Sequence, residues 1–158
     1  MTTAYGWDRL AHLRQAKDLI DRAFADPLDL EALAREAGYS RFHFARTFRE
    51  VYGRTPRSYL TWRRVERARD LLRSANLTVT EVCFLVGFSS LGSFSTRFKK
   101  EVGLSPSAYR DREVRRDGVP PIPGCFVLMW SQSAVPQSAR SAERAASISS
   151  STTDGGAR

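Results

Sequence analysis

The chain has 158 residues, 42% of them hydrophobic, with a formal net charge of +8 and two cysteines. That is enough apolar material for one domain of ordinary size, and it excludes wholesale disorder. The basic surplus favours a polyanionic partner, although arginine-rich composition can also reflect genome bias.

Cys83 and Cys125 lie far apart, with no Cys-x-x-Cys or Cys/His ligand spacing, so neither a disulfide scaffold nor a zinc site is expected. The longest apolar run, Cys125 to Trp130, falls well short of the ~20 residues that span a bilayer. The N-terminus lacks a basic segment followed by an apolar one, so no secretion signal is expected. The expectation is a cytoplasmic, nucleoid-associated protein with no membrane partner, metal or cofactor.

In chain order, residues 1–6 read as an extension. From Trp7, "WDRLAHLRQAKDLIDRAF" places Trp7, Leu10, Leu13, Ala16, Leu19, Ile20 and Phe24 on one face of an amphipathic helix. Residues 28–53 then read as a helix-turn-helix. Asp29 caps a short helix, Gly38 stops it where the chain needs φ > 0, and Ser40 caps the next. Thr55 and Pro56 supply the N-cap and first turn of an uninterrupted helix over 56–74, with Tyr59, Leu60, Trp62, Val65, Leu71 and Leu72 for packing.

Residues 77–103 repeat the first motif. With Gly38 on Gly87, Leu28 falls on Leu77, Leu30 on Val79, Leu33 on Val82, Tyr39 on Phe88 and Ser40 on Ser89. One extra residue then enters the second copy, after which Phe44 falls on Phe94, Phe48 on Phe98, Gly53 on Gly103, Pro56 on Pro106 and Tyr59 on Tyr109. Thr78 and Glu81 form a capping box, Ser89 is expected to cap the second helix, and Ser105-Pro106 starts the last. The expected fold is all-α: two helix-turn-helix subdomains joined by a long linker helix, seven helices and no sheet, over residues 7–112. Residues 113–158 read as a largely disordered tail, Pro/Gly-punctuated at first and Ser/Ala/Arg-rich over the last ~20 residues.

At 100° per residue, Phe44, Phe48 and Val51 form the core side of the first recognition helix. Phe42, Arg46 and Arg49 lie opposite, flanked by His43 and Ala45. An exposed ring beside arginines suits a major groove, where arginine reads guanine and a ring meets a thymine methyl. Against it stands a fold-back of Phe42 onto the N-terminal helix, and periodicity leaves both open. In the second copy Leu91, Phe94, Phe98 and Val102 are expected inside, opposite Gly92, Ser93, Thr96 and Lys100, with Arg97 at an edge.

These residues predict an asymmetric reader, with copy one specific and copy two permissive. The linker helix, at ~27 Å for about 18 residues, approaches the ~34 Å between successive major grooves. Phosphate candidates are Ser40, Ser89 and Ser90 at helix starts, Arg41, Lys99 and Lys100, and Arg54 and Arg57 among the arginines of the linker.

"SRFHFARTFREVYGRTPRSYL" and "VCFLVGFSSLGSFSTRFKKEVGLSPSAYR" resemble the DNA-binding domain of the AraC/XylS family of bacterial transcription regulators. The signature spacing is carried by Gly87-Phe88, Phe94, Phe98-Lys99, Gly103, Pro106 and Tyr109-Arg110, within a match from about Trp7 to Arg112. The resemblance implies a two-lobed, seven-helix domain that binds double-stranded DNA as a monomer, with both recognition helices in adjacent major grooves. It further implies contact with RNA polymerase and transcriptional activation, in a short, single-domain branch controlled by abundance.

By the same resemblance the base-facing positions are Phe42, Ala45 and Arg46, then Leu91, Gly92, Ser93, Ser95 and Thr96. Several members carry tryptophan at position 42, glutamine at 45 and arginine at 96, so the target sequence does not transfer. Cys83 stands where the family has a small residue at a tight helix crossing, which implies a buried structural thiol.

The run "PGCFVLMW" around Cys125 is open to three readings: docking on the domain, self-association, or the edge of something longer. Alternative functions are a protein-interaction module, such as a polymerase co-recruiter or anti-activator, and a shortened piece of a ligand-responsive regulator. His12 and His43 stand alone, and no Ser/His/Asp, Cys/His or carboxylate pair recurs on one face, so an enzyme is not expected.

Overall fold

Capping residues set most of the helix boundaries. The computed structural model describes residues 4–133, with side chains from 10 to 130. Helix α1 (Ala4–Ala23) is followed by α2 (Leu30–Glu36) and α3 (Arg41–Tyr52), the first helix-turn-helix. Asp29 caps α2 by accepting from the amides of Glu31 and Ala32, at 2.9 and 3.0 Å. Ser40 caps α3, and Gly53 ends it in the left-handed region. The linker helix α4 (Pro56–Ser74) is capped by Thr55.

The second copy is α5 (Val79–Leu85) and α6 (Leu91–Val102), closed by α7 (Pro106–Asp117). Thr78 and Glu81 form the capping box of α5, and Ser105 caps α7. Each boundary satisfies amides that a helix start leaves without partners.

Two cores follow, one per copy. In lobe one Leu13, Ala16 and Ile20 of α1 pack with Ala34, Tyr39, Phe44, Phe48, Tyr59 and Leu60. In lobe two Leu72, Leu77, Val82, Cys83, Val86, Phe94 and Phe98 are fully buried. Helix α4 serves both, through Tyr59 and Leu60 at one end and Leu71 and Leu72 at the other. A polar cluster reinforces its seat on α1. Asp21 accepts from Lys17 Nζ at 2.7 Å and Tyr59 Oη at 2.9 Å, and pairs with Arg63 Nε at 2.8 Å.

The lobes also touch directly. Arg64 of α4 donates from Nε to the Phe24 carbonyl at 2.6 Å and from Nη2 to that of Asp26 at 3.0 Å. Its guanidinium lies 5.7 Å from the Phe88 ring centre in lobe two. Next to it, Gly87 packs so close to the Ala25 carbonyl that a Cβ would overlap it.

Several expectations need correction. The seven expected helices are present as α1–α7, but the described residues add an eighth in the expected tail. They also hold one small parallel pairing, β1 (Ala75–Asn76) with β2 (Ile122–Pro123), against the expectation of no sheet. Helix α1 begins at Ala4, inside the expected extension. Helix α7 passes the expected boundary at Arg112 because Glu113 is still buried and bonded to Arg112, and no breaker arrives before Gly118 at φ +85.

Ser90, not Ser89, caps α6, accepting from the Ser93 amide at 3.3 Å. The extra residue of copy two therefore falls in the turn before the cap, and Ser40 corresponds to Ser90. Val51 is exposed instead of buried, because Tyr52 takes the inward place beside Phe48, their rings 4.7 Å apart. Leu91 is also exposed, since Phe88 fills the space next to Phe94.

A separate unit begins at Gly124. Its helix α8 (Gly124–Ser133) exposes Cys125, Phe126, Met129 and Trp130, and the rings of Phe126 and Trp130 lie 6.0 Å apart, one turn along. Of the tail expected to be largely disordered over 113–158, residues 113–133 hold the end of α7, β2 and α8, and 134–158 lie outside the described residues.

Candidate nucleic-acid interface

On α3 the wheel is realised. Phe44 and Phe48 are buried, whereas Phe42 is 76% exposed, with the Arg41 guanidinium 4.9 Å from its ring centre. Phe42 therefore does not fold back on α1. His43 stacks on Tyr39 at 5.1 Å. Arg46 and Arg49 are exposed on the same side as Phe42, and Ala45 is half-buried. Arg46 Nε reaches Glu50 one turn on, at 3.0 Å, and Arg41 reaches Glu31 of α2 at 2.7 Å. Both pairs are exposed, where such contacts are weak and readily exchanged for another anion.

On α6, Gly92, Ser93, Thr96, Arg97, Lys99 and Lys100 are exposed and Ser95 is half-buried. Thr96 donates its hydroxyl to the Gly92 carbonyl at 2.9 Å, which leaves its methyl group and one oxygen face outward.

The two helix-turn-helix units border a common cleft. Arg41, Phe44 and Ala45 line it from α3; Ser89, Ser93 and Arg97 line it from the second copy; Thr55, Arg57, Thr61 and Arg64 lie between, on and before α4. A neighbouring notch is lined by Arg57, Ser58, Thr61, Arg97, Lys100 and Glu101. Phe42, Arg46, Arg49, Gly92, Ser95 and Thr96 do not line the cleft.

Among the described residues Arg49, Arg57, Arg97, Lys99 and Lys100 carry no ion pair, so their charge is available to an incoming polyanion. Arg54 differs: it is paired with Glu101 at 3.0 Å. Glu31, Glu50 and Glu101, the carboxylates that hold three candidate arginines, were not singled out from sequence. The i,i+4 spacing of Arg46 and Glu50 could have revealed one of them.

The family described as a helix-turn-helix domain matches residues 33–112. The chain belongs to the AraC/XylS family. It is 35% identical over 91 residues to the transcriptional activator AarP of Providencia stuartii, covering 58% of this chain and 67% of AarP. It is 40% identical over 91 residues to the MmsAB operon regulatory protein of Pseudomonas aeruginosa, covering 58% of this chain but only 30% of that protein.

The DNA-binding domain of AdpA, a global transcriptional factor solved with a target DNA, superposes with a TM-score of 0.60 at 32% identity. That match covers 66% of this chain and 95% of the AdpA domain. The AraC/XylS module is a DNA-binding domain of transcription regulators, not an enzyme. No helix among the described residues is long and apolar enough to cross a membrane, and no three His, Cys, Asp or Glu side chains there are grouped to hold a metal ion.

Proposed function

We propose that this AraC/XylS chain activates transcription by setting α3 and α6 into successive major grooves of one face of promoter DNA, as a monomer, and by contacting RNA polymerase there. The observation that carries the reading is the outward face of α3: an exposed phenyl ring with Arg46 and Arg49 beside it, on a helix whose opposite side is locked into the core. A ring so exposed buries little area within the fold beyond its contact with Arg41, and it suits a partner that offers apolar and hydrogen-bonding edges together.

In this reading Phe42, Ala45, Arg46 and Arg49 read bases in one groove. Gly92, Ser93, Ser95, Thr96 and Arg97 approach the other with weaker discrimination. Ser40, Arg41, Arg57, Ser89, Ser90, Lys99 and Lys100 meet phosphates, which position the protein without reading sequence. The 19-residue α4, ~28 Å long, is the spacer between the two units. Arg54, whose pair with Glu101 is less exposed than those of Arg41 and Arg46, contributes less to phosphate contact in this reading.

The test compares Arg46→Ala with Thr96→Ala on a duplex selected by the wild-type protein from a random library. Arg46→Ala is expected to weaken specific binding by about 1–3 kcal/mol, and Thr96→Ala by well under about 1 kcal/mol. Unchanged affinity in Arg46→Ala would move the chain to a protein-interaction role.

A further inference from the structure

Helix α6 is attached to lobe one near each of its ends. Before its N-terminus, Gly87 sits against the Ala25 carbonyl and Phe88 lies by Arg64, which itself holds the carbonyls of Phe24 and Asp26. In its last turn, Glu101 accepts from Arg54 Nη1 with both carboxylate oxygens, at 3.0 and 3.2 Å. Arg54 follows Gly53 in the short turn between α3 and α4, 47 residues earlier. Its guanidinium also lies 5.7 Å from the Trp62 ring centre.

Among the described residues this is the ion pair that joins the two lobes. The side chains are 40% and 22% exposed, less than either pair on the outer face of α3. Stacking on Trp62 restricts Arg54 in advance, so less rotamer freedom is lost in making the bond.

A rod of twelve residues, ~18 Å long, has its direction fixed by two attachments and can pivot on one. Charge makes the second attachment matter. Arg57 of α4 and Arg97 and Lys100 of α6 share one notch with Glu101. Removing the carboxylate leaves cations from both helices facing one another, together with Arg54.

We propose that the Arg54–Glu101 pair is a positioning element that holds α6 at a set tilt to α3. It thereby fixes the spacing between the two DNA blocks that the protein accepts, while Glu101 itself touches no DNA. This rests on the two-groove reading above. Preorganisation of this kind narrows the set of duplexes bound more than it alters contact with the best one.

The experiment uses the full chain and two duplexes: one selected by the wild type, and the same with one base pair inserted between the blocks. The insertion turns the second block by about a tenth of a helical turn. Dissociation constants are measured at one salt concentration. The wild type is expected to lose about tenfold on insertion. Glu101→Gln should bind the selected duplex within about threefold of wild type, yet suffer an insertion penalty about threefold smaller or less. The reversed pair, Arg54→Glu with Glu101→Arg, should recover the wild-type penalty, since the ratio of two duplexes cancels any uniform change in phosphate contact.

A Glu101→Gln penalty equal to wild type, or no recovery in the reversed pair, overturns the positioning role. A wild type indifferent to the insertion takes down the two-groove reading and this inference with it.

Discussion

In lobe one the rings of Tyr39, Phe44, Phe48 and Tyr59 follow one another at 6.1, 5.9 and 5.8 Å. In lobe two Phe88, Phe94, Phe98 and Tyr109 follow at 5.3, 5.6 and 5.6 Å, with similar tilts. One aromatic ladder has been built twice. The outward positions of the same helices share almost nothing: Phe42 faces Gly92, Ala45 faces Ser95 and Arg46 faces Thr96 in the alignment, and only Arg49 and Lys99 agree in charge. Interior positions answer to packing, where a change of one methylene is felt, whereas outward ones answer to whatever they meet. On the proposal that the outward faces meet DNA, and that α3 reads it more sharply than α6, the two faces should respond to substitution with a matching contrast.

The largest effect is expected where the copies are not equivalent in backbone setting. Gly38 and Gly87 both have positive φ, +71 and +90. A Cβ on Gly38 meets nothing within 4 Å, whereas one on Gly87 runs into Ala25. Gly38→Ala should cost about 1 kcal/mol for the left-handed backbone alone. Gly87→Ala should cost about 3 kcal/mol or more, because the lobes must move apart. Urea titrations of both variants decide the point, and equal losses would show that the Gly87 junction is not rigid.

Acid should separate the lobes next. Burial pulls the Asp21 carboxyl upward, but hydrogen bonds from Lys17 and Tyr59 and the charges of Lys17 and Arg63 outweigh it, leaving the group below the usual carboxylate range. A depressed folded-state value means that the stabilisation is complete above about pH 4, where the unfolded group is also ionised. It is lost as pH falls through the folded value. Tyr109, the counterpart of Tyr59, lies instead by the guanidinium groups of Arg69 and Arg112. Asp21→Asn should destabilise lobe one by about 1–2 kcal/mol near neutral pH and flatten its acid limb. Hydrogen exchange read lobe by lobe checks this, and an undiminished acid limb would remove Asp21 as its source.

The smallest change should run the other way. Tyr39 Oη is buried without a hydrogen-bond partner, and copy two has Phe88 at that position. Tyr39→Phe should be neutral or stabilising by up to about 1 kcal/mol. A clear loss of thermal stability would mean that the hydroxyl has a partner after all.

What could be read from sequence follows the range of the interaction that decides it. Caps and stops are local, so Asp29, Ser40, Thr55, Thr78 and Ser105 were legible from residue type and spacing. Ser90 was not, because two adjacent serines offer the same cap and only the longer turn chooses between them. Phe42 and Arg46 were legible as outward residues because Phe44 and Phe48 fix the face of α3. Val51 and Tyr52 both fall near the inward arc, and only packing against Phe48 selects Tyr52. The pairing of Ala75 with Ile122 and the Arg54–Glu101 bridge depend on residues distant in the chain, where periodicity carries no signal.

The asymmetry of the two faces is tested most directly by replacing every base pair, one at a time, across a duplex selected by the protein and measuring the dissociation constant at fixed salt. Two runs of sensitive positions are expected about one helical turn apart. Steps of about 1–3 kcal/mol should occur in one run and shallower ones in the other, and Arg46→Ala should flatten only the steep run. A single run, or two equally steep runs that Arg46→Ala leaves unchanged, would contradict the account.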